Sequence, residues 1–350
     1  MPTSLQPAIS VPRSCSPPWI PPELISLILA ELWGATQTSE ERSDLLKNMA
    51  LVNRTWLALM ACITSRDVHI LNPLSAESFL RLLTKDTPAQ EPHDLFTMEA
   101  NRVAGEICRS ITFHVSRSVP VSGISEDPAD VGLWLGSQTD DASMAVSTLL
   151  HRVTAHDRLP NLRHVSLRYT DRSFADVFDQ LDAQTFPPQV THLSIDYSFT
   201  LPAMTSFAKY LRSIYRRETV PRVTIPNLRH LSLSGVTPRF VVDMLHVCPN
   251  VETLEITHPT GLFMLGPLPP SVRTLVLHDP VVTLSRRTIR SWALFPALEN
   301  GLFRRSTVRP QIVVRIGTPD PFAFMELRSS CKRFDVEVMH ECNNSLTPSW

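Results

Sequence analysis

Pro160-Asn-Leu-Arg-His-Val-Ser-Leu167 returns almost unchanged as Pro188-Gln-Val-Thr-His-Leu-Ser-Ile195 and Pro226-Asn-Leu-Arg-His-Leu-Ser-Leu233. Pro249-Asn-Val-Glu-Thr-Leu-Glu-Ile256 and Pro270-Ser-Val-Arg-Thr-Leu-Val-Leu277 are two further copies. The shared code is P-x-[LV]-x-x-[LV]-x-[LI], with starts 28, 38, 23 and 21 residues apart. The last two apolar positions alternate, which predicts a strand with one buried face. Helical patterns separate several copies: Phe174, Val177, Phe178 and Leu181; Met204, Phe207, Leu211 and Ile214; Phe240, Val241, Met244 and Leu245. Strand then helix at such a period predicts a solenoid, because no single unit can bury its own apolar side.

Weaker members extend the pattern. Val68-His-Ile70, Ile111 to Val115, Ile312 to Ile316 and Phe334 to Val338 read as strands, and Leu74 to Leu83 and Ala142 to Val153 as helices. Residues 118–141 read as a loop or insertion. The fold class is therefore α/β, with parallel strands and outer helices over 65–350, clearest at 160–280. Residues 1–18, with five prolines, read as a disordered tail, and 19–64 as three short helices. Leu24, Ile25, Ile28, Leu29 and Leu32 recur at helical spacing, then Leu45, Leu46, Met49 and Val52, then Trp56, Leu57, Leu59, Met60 and Ile63. About 45 residues cannot bury a good core alone, which points to a partner surface.

Composition narrows the function. Of 350 residues, 33 are Lys or Arg and 34 Asp or Glu, a formal charge of -1 that argues against a dedicated nucleic-acid protein. Only 10 are Gly, against 30 Pro, which disfavours folds that need Gly where backbone meets phosphate. The six cysteines are scattered without a CxxC pair and read as free thiols of a reducing compartment. No signal peptide and no membrane span are expected, so the reading is a cytoplasmic or nuclear protein. No GxSxG, HExxH, GxxxxGK[ST] or GxGxxG occurs, and no carboxylate pair stands out. Arg216-Arg217, Arg286-Arg287 and Arg304-Arg305 are isolated doublets that do not make a phosphate-binding stripe. The chain is expected to be no enzyme and to need no cofactor or metal.

On a solenoid strand the residues between the buried ones face the concave side. That places His164, Ser166 and Arg168, His192, Ser194 and Asp196, His230, Ser232 and Ser234, Thr253, Glu255 and Thr257, and Thr274, Val276 and His278 on one exposed surface. His164, His192 and His230 should stack as a column at a strand spacing of about 4.8 Å. No carboxylate is placed beside them by sequence, so the column reads as a polar ladder or a protein-contact surface rather than a metal site.

The 160–280 code resembles the leucine-rich repeat, LxxLxLxxN, at Leu162/Val165/Leu167, Val190/Leu193/Ile195, Leu228/Leu231/Leu233, Val251/Leu254/Ile256 and Val272/Leu275/Leu277. It departs at the Asn position, taken here by Thr170, Ser198, Val236, Pro259 and Pro280, and the resemblance then implies an uneven arc. Residues 20–64 resemble the F-box, in Ile20-Pro-Pro-Glu-Leu24, Ile28, Leu32, Asp44-Leu-Leu46 and Val52-Asn-Arg-Thr-Trp56. Ile replaces the leading Leu, and a polar insertion from Thr36 to Glu41 lengthens the box, as in large fungal F-box-like families. The combination implies a substrate receptor of a cullin–RING ubiquitin ligase. Ile20, Pro21, Leu24, Ile28, Leu32, Leu45, Val52 and Trp56 would face or shape the contact with a Skp-type adaptor, and the repeats would hold an unknown target protein. The alternative is a repeat scaffold with a degenerate box and no ligase role; neither reading involves nucleic acid or membrane.

Overall fold

The five repeat copies become five neighbouring strands of one parallel sheet. In the computed structural model that sheet has nine strands in sequence order, β1 (Asp67–Ile70), β2 (Ser110–Ser116), β3 (His164–Thr170), β4 (His192–Ser198), β5 (His230–Ser234), β6 (Thr253–Thr257), β7 (Thr274–Asp279), β8 (Gln311–Ile316) and β9 (Glu337–Cys342). Every adjacent pair is parallel. The helices that fall between strands are α4 (Pro73–Leu83), α5 (Asp141–His156), α6 (Asp176–Asp182), α7 (Pro238–Val247), α8 (Arg286–Trp292), α9 (Leu294–Glu299) and α10 (Pro321–Lys332), with a short 3-10 turn at Leu262–Leu265. This is a solenoid-like α/β architecture. Ahead of it come α1 (Pro22–Gly34), α2 (Ser39–Val52) and α3 (Arg54–Arg66). The structure describes residues 20–35, 37, 39–83, 105–116, 141–156, 158–170, 172, 174, 176–182, 186–198, 224–279, 284–304, 306, 308–317 and 320–342. The proline-rich tail, the 118–140 loop and the Met204–Ile214 helix of the sequence reading lie outside them. The chain divides into two units, Met1–Ile63 and Thr64–Trp350.

The repeat code sets the sheet's register. Val165 pairs with Leu193, Leu231, Leu254, Leu275 and Ile312 across successive strands, and Leu167 with Ile195, Leu233, Ile256, Leu277 and Val314. These rows are buried in one continuous core with Leu149 and Val153 of α5, Phe178 of α6, Met244 of α7 and Leu327 of α10. Aromatic rings join this core: Tyr169 and Tyr197 stack at 4.7 Å, and Phe174 and Phe240 pack edge-on to Tyr197. Gly235 follows β5 at φ +67°, and a Cβ there would meet the Tyr197 carbonyl oxygen at 2.0 Å, so the close approach of β4 and the β5 turn requires glycine.

The Pro-x pair has two jobs. Proline occupies the second position of a tight turn in Leu159 to Leu162, Pro187 to Val190, Cys248 to Val251 and Pro269 to Val272, each closed by a backbone hydrogen bond of 3.0–3.4 Å. The residue after it then donates to a carbonyl of the preceding repeat. Asn161 reaches Glu106 O at 2.6 Å, Gln189 reaches Leu159 O at 3.0 Å, Asn227 reaches Pro188 O at 2.8 Å, Asn250 reaches Pro226 O at 2.9 Å and Ser271 reaches Pro249 O at 2.8 Å. Asn161, Gln189, Asn227, Asn250 and Ser271 thus form a ladder of side-chain hydrogen bonds from each repeat to the one before.

Several expectations are corrected. The last strand begins at Glu337, not Phe334, because Arg333 to Asp335 turn back from α10 with Asp335 at φ +56°. Phe174 precedes its helix, which starts at Asp176. Ser39, Glu40 and Glu41 belong to the first turn of α2 rather than to an inserted loop, since acidic side chains suit a helix N-terminus. Cys108, Cys248 and Cys331 are buried free thiols, whereas Cys62 is exposed. Burial pushes each buried thiol up to about 12, with Asp67 adding to the effect at Cys108, so none is a ready nucleophile.

Candidate functional site

The helical unit has a thin core. Ile25, Leu29 and Trp33 of α1 meet Met60 and Ile63 of α3, with Leu45, Met49, Trp56 and Leu59 half-buried around them. The Arg42 side chain is fully buried. Its Nη1 donates to the Trp33 carbonyl, its Nη2 donates to Ala35 O at 2.9 Å, and its guanidinium lies 5.1 Å from the Trp33 ring centroid. One cation thereby caps the end of α1 from the start of α2. Asn53 opens α3 by accepting the Trp56 N–H at 3.0 Å.

A second apolar stripe, starting at Ile20 just before α1 and continuing along the helix, stays exposed. Ile20 (44%), Leu24 (50%), Ile28 (46%) and Leu32 recur every fourth residue, and Leu27 (66%) widens the stripe. Leu46, Leu51, Val52 and Leu57 are also exposed. Of the residues that sequence placed on this surface, Ile20, Leu24, Ile28, Leu32 and Val52 are exposed and Pro21 is half-buried. Leu45 and Trp56 are half-buried and pack against the five-residue core.

On the sheet, the face opposite the core carries three polar rows. His164, His192 and His230 form the predicted column, with ring centroids 4.2 Å and 5.2 Å apart, continued by Thr253 and Thr274. Ser166, Ser194 and Ser232 form the second row, continued by Glu255. Arg168, Asp196, Ser234, Thr257 and His278 form the third. Val276, expected to be exposed here, is buried together with its register partner Val313.

Glu255 is the hub of this face, its side chain only 12% exposed. Its carboxylate lies 3.5 Å from His230 Nε2, 3.7 Å from His278 Nδ1 and 3.1 Å from Arg315 Nη1. Arg315 in turn holds Glu341 at 3.0 Å. Burial alone would raise the Glu255 pKa, but the His230 hydrogen bond and the positive charges of Arg315, His230 and His278 outweigh it and hold the carboxyl below the usual range. Burial also lowers His164 and His278. His192 falls furthest, to about 4, through burial and the like charges of His164 and His230 on either side. Burial thus favours the uncharged ring at His164 and His192, each able to donate and accept hydrogen bonds.

Sequence reasoning missed Arg315 and Glu341. The signal was present: in Ile312-Val-Val-Arg-Ile316, Arg315 stands between the buried Val314 and Ile316 and so faces outward, but only the register brings it beside Glu255. Among the described residues no group of three or more His, Cys, Asp or Glu side chains is placed to hold a metal ion, and no helix is long and apolar enough to cross a membrane. What the face can do is present hydrogen bonds and fixed charge to an extended ligand. No protein-family model, curated protein or solved structure matches the chain.

Proposed function

We propose that the chain is the substrate-recognition subunit of a cullin–RING ubiquitin ligase, in which the helical unit docks on a Skp-type adaptor and the polar face of the sheet holds the target. The observation that carries the reading is α1, a helix with one apolar stripe in the core and a second, Leu24, Leu27, Ile28 and Leu32, in solvent together with Ile20 just before it. An exposed patch of this kind in a unit with a five-residue core fits a surface that a partner covers. The F-box resemblance of residues 20–56 names the partner, and the leucine-rich-repeat resemblance of 160–280 assigns the sheet to target binding. The chain itself would catalyse nothing; ubiquitin transfer would belong to the associated subunits.

The test is co-purification of the full chain with a Skp-type adaptor. Leu24→Asp with Ile28→Asp should abolish a stoichiometric complex, at least a 100-fold loss given about 1–2 kcal/mol for each desolvated apolar contact and the cost of burying a carboxylate. Circular dichroism should show unchanged strand content. No complex with folded wild-type protein would leave the other reading, a repeat scaffold without a ligase role.

A further inference from the structure

The backbone rungs that lead into the sheet carry a row of side chains that the repeat code does not explain. One residue before or beside each strand start stand Arg66, Arg109, Arg163, Thr191 and Arg229, linked in series. Arg109 N–H donates to Arg66 O at 2.9 Å, Arg163 to Arg109 O at 2.9 Å, Thr191 to Arg163 O at 3.0 Å and Arg229 to Thr191 O at 2.9 Å. Four arginines thus occupy five consecutive rungs, at a spacing of about 4.8 Å. The two outer ones are neutralised, Arg66 by Asp67 at 2.8 Å and Arg229 by Glu252 at 3.7 Å. Arg109 and Arg163 lie between them, both exposed, and no carboxylate among the described residues reaches either. Arg163 is fixed at the rim, its Nη1 donating to Pro160 O at 2.8 Å and Leu162 O at 3.0 Å.

Next to these guanidiniums run the histidine column and the serine row. Among the described residues on this face of β2 to β5, Asp196 is the single carboxylate. From β6 onward carboxylates enter the face, Glu252 and Glu255 at β6 and Glu337 and Glu341 on β9, interleaved with Arg273 at the start of β7 and Arg315 on β8. The β1–β5 end thus carries more cations than carboxylates, with Asp67 taken up by Arg66 and Ser110, whereas the β6–β9 end is mixed in sign and its Arg315 is held by Glu255 and Glu341.

We propose that the β1–β5 end of the face binds an acidic, extended peptide segment, its carboxylates forked by Arg109 and Arg163 and its backbone laid along the His164/His192 and Ser166/Ser194 rows. Arginine suits the task because its planar fork matches a carboxylate's two oxygens. Four rung spacings come to about 19 Å, which an extended peptide covers in about six residues. A nucleic acid fits less well: a longer polyanion would run onto Glu252 and Glu255. This deepens the reading of the sheet as the target-binding part by naming the target's chemistry. Its test needs no adaptor, so the two can fail separately.

The experiment is fluorescence anisotropy of a labelled peptide with six consecutive glutamates, titrated with the full chain, alone and with a Skp-type adaptor present. Arg109→Glu with Arg163→Glu should weaken binding at least about 30-fold, and Arg163→Lys, which keeps the charge and loses the fork, about threefold. Arg287→Glu with Arg328→Glu, equal in charge and placed on α8 and α10, should leave affinity within about twofold. Equal loss in both double variants would overturn the proposal, as would failure of folded wild-type protein to bind the peptide. Tighter binding of an oligouridylate of the same charge would overturn it in favour of a nucleic-acid surface.

Discussion

The helical unit and the sheet unit bury apolar surface in opposite proportions. Among the described residues, the first has a core of five buried side chains and leaves nine large apolar residues at the surface. Nine strands and their helices in the second share one continuous core and show mainly His, Ser, Thr and charge on the opposite face. The difference lies in repetition. Each strand–helix unit of the sheet hands its open apolar side to the next, whereas the three-helix unit has no neighbour of its own kind. A surface left apolar by shortage of core and a surface left polar by a complete one call for different partners: the first for a packed protein interface, the second for a ligand held by hydrogen bonds and charge.

The same deletion should therefore have different consequences in the two units. Leu29→Ala in α1 and Leu254→Ala in β6 each remove a fully buried leucine, worth about 2–5 kcal/mol. In the thin core that loss should unfold the helical unit at 37 °C, visible as loss of amide protection over α1–α3, and an excess of bound adaptor should restore it. In the sheet it should lower the denaturation midpoint without unfolding the native protein. Equal behaviour of the two variants would break the contrast. Glu255→Ala comes next. It leaves Arg315 with Glu341 alone and removes the partner of His230 and His278, an expected cost of about 1–3 kcal/mol in the urea midpoint of the sheet transition. A change below a few tenths would mean that the network is ornament on an already sufficient core.

The repeats were readable because apolar alternation after each Pro-x pair states both the strand and its buried face. The three N-terminal helices were readable from a different period, apolar residues three and four apart such as Ile25, Leu29 and Leu32. Polar function was legible only where it repeats in frame: His164, His192 and His230 announce a column, while Arg109 is 54 residues from Arg163 in a segment with no Pro-x copy before it. The arginine rim and the Glu255–Arg315 pair exist only through register, which sequence spacing of 21 to 38 residues does not give. Val276 was misplaced for a related reason. Alternation says which face a side chain takes but not whether neighbours on that face, here Val313 and the Glu255 network, close over it. Arg42 was invisible because a buried cation needs the Trp33 and Ala35 carbonyls that the end of α1 happens to present.

The histidine column gives the polar face a pH dependence. His192 titrates at about 4 in the folded chain against an ordinary 6.5, so between those values the unfolded chain holds the extra proton. Stability of the sheet is then complete above about pH 7 and is lost as pH falls through this window. His164 and His278, both lowered, act in the same direction. Glu255, also lowered, extends the loss below its ordinary 4.5, where the unfolded carboxyl takes up a proton first. With the half-exposed ring of His192 discounted for solvent screening, the expected drop from pH 7.5 to pH 5 is about 1 kcal/mol from that residue. Urea midpoints across this range check it, and His192→Gln should flatten the slope. A slope of the opposite sign would show the column to be stabilised by protonation.

The smallest expected effect belongs to the turn ladder. Asn227→Ala removes one side-chain hydrogen bond to the preceding repeat, and Asn250→Ala the next, each at about 1 kcal/mol. Adjacent rungs of a solenoid share an interface, so the two losses should not simply add. If the ladder's work is to hold Pro188, Pro226 and Pro249 in line, breaking one rung frees the turn on which the next depends, and the double variant should lose less than the sum of the singles. Strict additivity would instead make each Pro-x turn an independent cap, with the alignment of the sheet set by the buried leucine and isoleucine rows alone.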